Sequence, residues 1–331
     1  MSNRISSQNR NSSYFLISVS NRENLDLCLK YALAGFPSGE SGAWTFCEIE
    51  EGDFVSFLYG ARVHNLYEVI QKEAIRGAEH LPPWRPLTFT ETKATYFFPF
   101  RLRLRPLRRL VEPIARSEFF YVAENLLLRG GYRKTHFQAD QTTLQSVSEM
   151  GDLATEPPET LSLPEYVTFK PRFTQNRALV KLPEVCRYRE TILQSAIRRH
   201  LSLGENLKTL LSALDIKVSA SNFEVLGEKA LSQGHIDLLL KQRIPIGFST
   251  KIPIEVKTKK GGVKDALQLQ HYMDEMRDEC PAGLLVAADF AKQSDIASRD
   301  QIRLVRYRVK TNLKLSRTFE EIYEALELEP L

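Results

Sequence analysis

Asp237, Glu255 and Lys257 are residues whose types and spacing could do chemistry together. Gly234-His235-Ile236-Asp237 leads into the apolar run Leu238 to Leu240. After a gap comes Ile252-Pro253-Ile254-Glu255-Val256-Lys257. On a strand, successive side chains alternate faces. Glu255 and Lys257 therefore project together, while Ile254 and Val256 point the other way. A hairpin joining the two stretches places Asp237 beside Glu255, so two carboxylates and one ammonium meet at one spot. Carboxylates with waters suit a hard divalent cation such as magnesium, and a lysine there can orient or activate a nucleophilic water. That is the equipment of metal-assisted phosphodiester hydrolysis. The bland alternative is a surface hairpin with solvated charges. It leaves unexplained why the charges interrupt the most apolar part of each strand. His235 shares the face of Asp237 and is a candidate base, but Lys257 already fills that role.

Several elements must position this set. Gln268 and Tyr272 lie four apart, so both face one way on a helix behind the two strands. Tyr188 to Leu214 reads as helical, broken at Gly204. Ala282 to Ala288 reads as a buried strand, Ile302 to Val309 alternates as a further strand, and Phe319 to Leu328 reads as a closing helix. Strands flanked by helices predict a three-layer α/β core.

Asp237, a gap and Glu255-x-Lys257 resemble the PD-(D/E)XK nuclease signature. Gln268-x-x-x-Tyr272 is similar to the addition found in its RecB-like branch. The resemblance implies a magnesium-dependent endonuclease with Asp237 and Glu255 as metal ligands, Lys257 at the water, and Gln268 and Tyr272 ordering the site. An early helix in that family offers a further acid to the metal. Glu190 is the choice here, with Glu205 second; Glu224 and Glu228 are weaker candidates on the first strand.

Length and composition set bounds. At 331 residues the chain allows two domains. Apolar residues at 43% and charged residues at 26% are those of a globular protein. No run approaches the length of a membrane span, and residues 1–13 are a polar tail without an apolar signal region. Cys28, Cys47, Cys186 and Cys280 are scattered, with neither metal-ligand spacing nor a disulfide framework, so a cytoplasmic location is expected. A net charge of +4 is only mildly basic, and clustering says more than the total.

Towards the N-terminus, Tyr14 to Val19 reads as a strand. Ser20 or Asn21 can cap a helix striped by Leu25, Leu29 and Leu33. A Gly/Ser-rich loop then runs to Trp44, and Glu51-Gly52-Asp53 makes a turn. Strands are expected at Phe54 to Tyr59, Asn65 to Ile70 and Tyr96 to Leu104, with Leu81-Pro82-Pro83-Trp84-Arg85-Pro86 as a rigid loop. This order resembles a PUA-like domain of the YTH/EVE group, carried by Tyr14-Phe15-Leu16-Ile17, Asn21-x-Glu23-Asn24, Glu51-Gly52-Asp53-x-Val55-x-Phe57 and Phe98-Pro99-Phe100-Arg101. It is similar to the recognition domain of archaeal McrB-type restriction subunits over residues 14–145. The resemblance implies an aromatic cage for a flipped methylated adenine. Flipping costs a few kcal/mol, and stacking returns about 1–3 kcal/mol per base. Trp84 matches the late cage tryptophan. Leu33-Ala34-Gly35-Phe36 replaces the early one, so Phe36 or Trp44 substitutes, and Ser20 aligns with a position at the base edge. The bland reading of both tryptophans is cover for the edge of the core.

Arg101, Arg103 and Arg105 share one face of an alternating strand, extended by Arg108 and Arg109. They suit phosphates, or equally a charge-protected strand edge. Phe119 to Leu128 reads as a helix and Arg129 to Lys134 as a basic Gly-rich loop, with Arg133 and Lys134 facing nucleic acid. Lys259, Lys260 and Lys264, with Arg303, Arg306 and Arg308, face either DNA or solvent. Residues 146–183 shift to Ser, Thr, Glu and Pro and read as a linker, leaving 184–331 as the nuclease.

The combined expectation is a modification-dependent endonuclease that reads 6-methyladenine in double-stranded DNA. It would work as a homodimer with Mg2+, without nucleotide hydrolysis and without a membrane. The alternatives are a repair or RNA-processing nuclease with a general clamp, or a non-catalytic module for modified RNA.

Overall fold

Described here, from a computed structural model, are residues 12–88, 90, 93, 95–115, 135–231, 234–244, 247–291 and 301–331. The chain divides into two units: Ser12–Tyr188 with Leu313–Phe319, and Arg189–Asn312 with Glu320–Leu331. In chain order the first unit contains β1 (Tyr14–Ser18), α1 (Arg22–Tyr31), β2 (Leu33–Phe36), α2 (Glu40–Glu48), β3 (Phe54–Tyr59), β4 (Arg62–Ile75), β5 (Leu87–Thr88), β6 (Thr95–Tyr96), β7 (Phe100–Arg109), β8 (Ile114–Ala115), β9 (His136–Ala139), α3 (Gln141–Glu149), β10 (Asp152–Leu153), β11 (Thr168–Phe169), β12 (Arg172–Thr174) and β13 (Val185–Arg187). The second continues with α4 (Glu190–Leu201), α5 (Gly204–Ala213), β14 (Phe223–Leu231), β15 (Gly234–Gln242), β16 (Lys251–Gly261), α6 (Val263–Met276), β17 (Gly283–Phe290) and β18 (Ile302–Val309). After β19 (Arg317–Thr318), which belongs to the first unit, it ends with α7 (Phe319–Glu324) and β20 (Leu326–Pro330).

The first unit is built on the long β4, which pairs antiparallel with β3 and β7. β1 extends the sheet parallel to β3, and β9 adds antiparallel to β1. Tyr14 to Ile17 are buried because this strand sits inside the sheet, between β3 and β9. Asn21 caps α1 by accepting from the Asn24 N–H at 2.8 Å, and the helix ends where Ala32 turns left-handed at φ 44°. The expected loop before Trp44 is instead α2. Residues 146–183, read as a linker, lie in the first unit: β10 pairs with β7, β11 with β4, and β12 with both β13 and β19. Polar composition marked the exposed side of these short strands, not freedom from the sheet.

The second unit is a six-stranded sheet ordered β14-β15-β16-β17-β18-β20 among the described residues. β14, β15 and β16 run antiparallel, β16, β17 and β18 run parallel, and β20 closes the edge antiparallel to β18. A parallel connection needs a crossover, and α6 supplies it between β16 and β17. Leu269, Tyr272, Met273 and Met276 of α6 pack into one cluster with Leu239, Leu285, Ala287 and Leu304 of the sheet. The α/β class is as expected. The closing helix stops at Glu324, and Leu326–Pro330 is a strand: the alternation Leu326-Glu327-Leu328-Glu329 fits an edge paired to the basic β18 better than a helix. The helical stretch from Tyr188 does break at Gly204. No helix of the described residues is long and apolar enough to cross a membrane.

Candidate functional site

Leu238 pairs with Ile254, so the next position of the antiparallel register sets Asp237 opposite Glu255. Across the parallel ladder Glu255 pairs with Leu285 and Lys257 with Ala287. Both of those partners belong to the α6 cluster, so Glu255 and Lys257 share the face that α6 covers. The Val256 N–H donates to Asp237 Oδ2 at 2.8 Å. Lys257 Nζ donates to Glu255 Oε1 at 2.6 Å and lies 3.9 Å from Asp265 Oδ1. Glu255 is 1% exposed, and its Oε2 has no hydrogen-bond partner.

α6 contributes the expected pair. Gln268 Nε2 donates to the Tyr272 hydroxyl at 2.6 Å, and that hydroxyl donates to the His235 carbonyl at 3.0 Å. The helix is thereby tied to β15 two residues before Asp237. The approach is close: a Cβ on Gly234 would sit 2.9 Å from the Tyr272 hydroxyl oxygen, so this position has room only for glycine. The side chain of His235 is exposed, and its backbone carbonyl is what serves the site.

Glu190 opens α4. The ladder between β16 and β17 shifts register between Lys257 and Lys260, and such a bulge leaves backbone groups off the ladder. Side chains take them: the Thr258 N–H donates to Glu190 Oε2 at 3.2 Å, and the Tyr307 hydroxyl donates to the Thr258 carbonyl at 2.8 Å. Glu205 is exposed on α5. Glu224 is buried beside Lys241 at 3.5 Å, and Glu228 sits at a positive φ of 27°. Sequence reading passed over Gln194 and Asp265. Gln194 follows Glu190 by one helical turn, is buried on α4 and helps to pull the Asp237 carboxyl down. Asp265 accepts from the Gly262 N–H at 2.9 Å at the start of α6. The i, i+4 spacing from Glu190 and the Gly261-Gly262 helix start were the available signals.

Burial pushes the Asp237 carboxyl up to about 6, against the Val256 N–H and the Lys257 charge, which pull it down. Burial and then the neighbouring Asp237 charge push Glu255 up to about 7. Burial works against the Lys257 ammonium, but its hydrogen bond to Glu255 and the surrounding carboxylates outweigh it and hold the lysine above its ordinary value. Two carboxylates held at such cost, one with an unpartnered buried oxygen, fit a hard divalent cation that keeps several waters. Among the described residues no group of three His, Cys, Asp or Glu side chains converges to hold an ion unaided.

A pH dependence follows. Both carboxyls have folded values raised above the unfolded value of about 4. Their contribution to stability is therefore fully present below pH 4 and is lost as pH rises through about 6 and about 7. A cation that binds the ionised pair compensates above that window and competes with protons inside it. Added Mg2+ is expected to raise the melting temperature at pH 8 and to have no effect at pH 5, as scanning calorimetry at both pH values would show. An equal shift at pH 5 would rule the pair out as the binding groups.

The first unit departs from the expected cage. Trp84 is 5% exposed. Its ring lies on Gly35, where a Cβ would come within 2.5 Å of it, 5.5 Å from the Phe98 ring and 5.4 Å from the Arg101 guanidinium. Phe36 is likewise buried. Both rings are core, because Gly35 lets the Pro82–Pro83 loop fold inward. Trp44 is half-buried with its ring 4.7 Å from that of His136, and Ser20 is exposed. Arg101 is corrected too. It is 2% exposed and donates to the carbonyls of Phe98, Pro82 and Leu81 at 3.1, 2.7 and 3.3 Å, and burial pulls its guanidinium down to about 10. Arg103 lies 3.6 Å from Glu73 and Arg105 pairs with Glu68, so acids on β4 already face both. Arg133, Lys134 and the helix expected over Phe119–Leu128 fall outside the described residues. In the second unit Lys260 pairs with Asp289 at 3.4 Å, and Arg306 and Arg308 with Glu329 at 3.7 and 3.4 Å. The first unit also holds a cavity of about 210 Å³ whose lining includes Tyr31, Ile70, Glu73, Arg103, Leu161 and Leu163.

No known protein family matches this sequence, and no curated protein does. Among solved structures, a repair endonuclease from Pyrococcus abyssi is similar at 16% identity and TM-score 0.22, over 30% of this chain and 43% of that one. The DNA modification-dependent restriction endonuclease AspBHI is similar at 16% identity and TM-score 0.21, over 82% of this chain and 62% of that one. Protein Atu2648 from Agrobacterium tumefaciens is similar at 14% identity and TM-score 0.26, over 45% of this chain and 99% of that one. The chain thus spans less than half the length of the repair endonuclease.

Proposed function

We propose that the chain is a modification-dependent DNA endonuclease whose second unit hydrolyses phosphodiesters with Mg2+, in the manner of the PD-(D/E)XK nucleases it resembles. The observation that carries this reading is the meeting of Asp237, Glu255 and Lys257 on one covered face of β15 and β16. Asp237 and Glu255 would hold the cation. Bound there, magnesium would supply Lewis-acid polarisation of the phosphate and of a water. Lys257 keeps its positive charge beside Glu255 and would orient the attacking water towards phosphorus. Gln268 and Tyr272 fix the helix against β15 and so hold Asp237 in register. Glu190, engaged by the Thr258 N–H, would steady the strand past the bulge.

The first unit would extrude and read a methylated base, 6-methyladenine. With Trp84 and Phe36 enclosed, Trp44, Ser20 and the 210 Å³ cavity beside Tyr31 are the places left for it. Arg103 and Arg105 would exchange their acids for phosphates. Cutting both strands needs two centres, which implies a homodimer on DNA.

Cleavage of matched plasmids, grown with and without adenine methylation, tests the reading in Mg2+. Cutting of the methylated plasmid alone is expected. Cutting of both plasmids would keep the nuclease and remove the modification. No cutting of either, with Mg2+ present, would sink the proposal. The enclosed Trp84 favours one second reading: a repair or RNA-processing nuclease whose first unit is a general nucleic-acid clamp, for which both plasmids would be cut alike.

A further inference from the structure

We propose that the cavity of about 210 Å³ in the first unit is the seat of the extruded base, roofed by the strap of residues 158–163 and read by the Glu73 carboxylate. The inference rests on the modified-base reading of the first unit and gives that base one place and one partner. The strap belongs to the polar stretch 146–183, yet its Leu161 and Leu163 line the cavity together with Tyr31 and Leu33. It is pinned on both sides of the cavity. The Glu159 N–H donates to the Lys30 carbonyl at 3.1 Å, and the Glu159 carboxylate pairs with Lys30 Nζ at 3.1 Å. Past the roof, the Tyr166 hydroxyl donates to Glu73 Oε2 at 3.0 Å. The wall opposite is shaped by a bulge. The ladder between β4 and β7 shifts register between Val69 and Gln71, which makes Ile70 an extra residue on β4. A bulge re-aims a side chain, and Ile70, 51% exposed, lines the same cavity.

Size and chemistry limit the ligand. Sites for drug-sized molecules begin at about 300 Å³, so this one has room for a single heterocycle between apolar walls. Glu73, with its side chain 14% exposed, is the carboxylate among those walls. A carboxylate only accepts, so the ligand must donate. The exocyclic amine of adenine or cytosine does so, and a single N-methylation leaves it one N–H. Glu73 Oε1 already accepts from Gln71 at 2.7 Å, whereas Oε2 lies 3.6 Å from Arg103 Nε, beyond hydrogen-bond length. When Arg103 turns to the phosphate of the extruded nucleotide, Oε2 is left to the amine. One acid–base pair thus opens to hold a base and its own backbone together. The chemical class of ligand is an extruded, methylated nucleobase that bears an amine.

The test is fluorescence anisotropy of the full chain in EDTA, where nothing is cut. The probes are matched duplexes in random flanks, carrying one 6-methyladenine, one 5-methylcytosine or no modification. The wild type should bind one modified duplex about tenfold tighter than the plain one. Leu161→Trp, which fills the cavity, should erase that preference. Glu73→Gln, which replaces a charged acceptor by a neutral one, should reduce it about fivefold. Ile70→Ser, at an exposed position, should reduce it as well and keeps the test valid should the tryptophan variant fold poorly. A wild-type preference retained in all three variants would overturn the cavity assignment and leave the modified-base reading standing. No preference of the wild type for either modified duplex would overturn both.

Discussion

A Glu255→Ala chain should keep its fold and its grip on DNA and lose cleavage by on the order of 10²–10³-fold or more, the scale of removing a charge stabiliser from a transition state. Lys257→Ala should fall equally far. The two losses should not add, because the 2.6 Å pair acts as one unit. Stability separates this expectation from simple damage. Glu255 is a buried carboxylate held up to about 7 by burial and by Asp237, so at pH 8 its charge opposes folding. Removing it should leave the melting temperature of the metal-free chain unchanged or raised, with Asp265 still near the lysine. Gel cleavage assays beside calorimetry decide the matter. An active Glu255→Ala chain would remove the site, and an inactive but unfolded one would remove the argument from burial.

The second large effect concerns Arg101. Its guanidinium closes three backbone carbonyls of the Phe98 and Leu81–Pro82 segments at 2.7 to 3.3 Å and lies against Trp84. Arg101→Ala leaves those acceptors buried without donors, at about 1–3 kcal/mol each, and opens space under the proline loop. The expected result is a loss of about 3–5 kcal/mol from the first unit, seen as an early melting transition with Trp84 fluorescence shifted to the red. Arg103→Ala, one step along the same face but half exposed and paired with Glu73, should leave that transition in place and act on the salt dependence of DNA binding. If Arg101→Ala behaved like Arg103→Ala, the buried guanidinium would not be what seats the loop.

The second unit was legible where periodicity was clean. Ile302 to Val309 occurs with the bounds expected, although Leu304 and Val305, on opposite faces, are both buried. The shared face of Glu255 and Lys257 and the one-sided Gln268–Tyr272 pair follow from spacing, whereas the place of Asp237 beside Glu255 followed from supposing a hairpin. Gln194 was not legible as a site residue, because a neutral amide on an amphipathic helix carries no signal until the helix is docked. In the first unit the difficulty was different. Gly39 and Gly42 suggested a loop, yet Gly42 is where α2 crosses Pro37 so closely that a Cβ would strike its carbonyl. Trp84 and Arg101 were placed by position and alternation, and neither shows that a proline-rich loop folds back over the strand. The polar stretch 146–183 hid β10, β11 and β12, since strands of two or three residues leave no period to read.

The course of the chain after β18 limits how the protein can be divided. Residues 313–319 leave the second unit's sequence to supply β19 to the first, pairing with β12, and the chain then returns for α7 and β20. Neither unit is a continuous stretch. A fragment ending at Tyr188 would lack a strand and would expose the edge of β12. A fragment starting at Arg189 would carry a stray segment through the middle of its own sequence. The two activities proposed for this chain are therefore not interchangeable cassettes. Recombination at a single junction could not exchange one specificity for another without unmaking part of the neighbouring sheet.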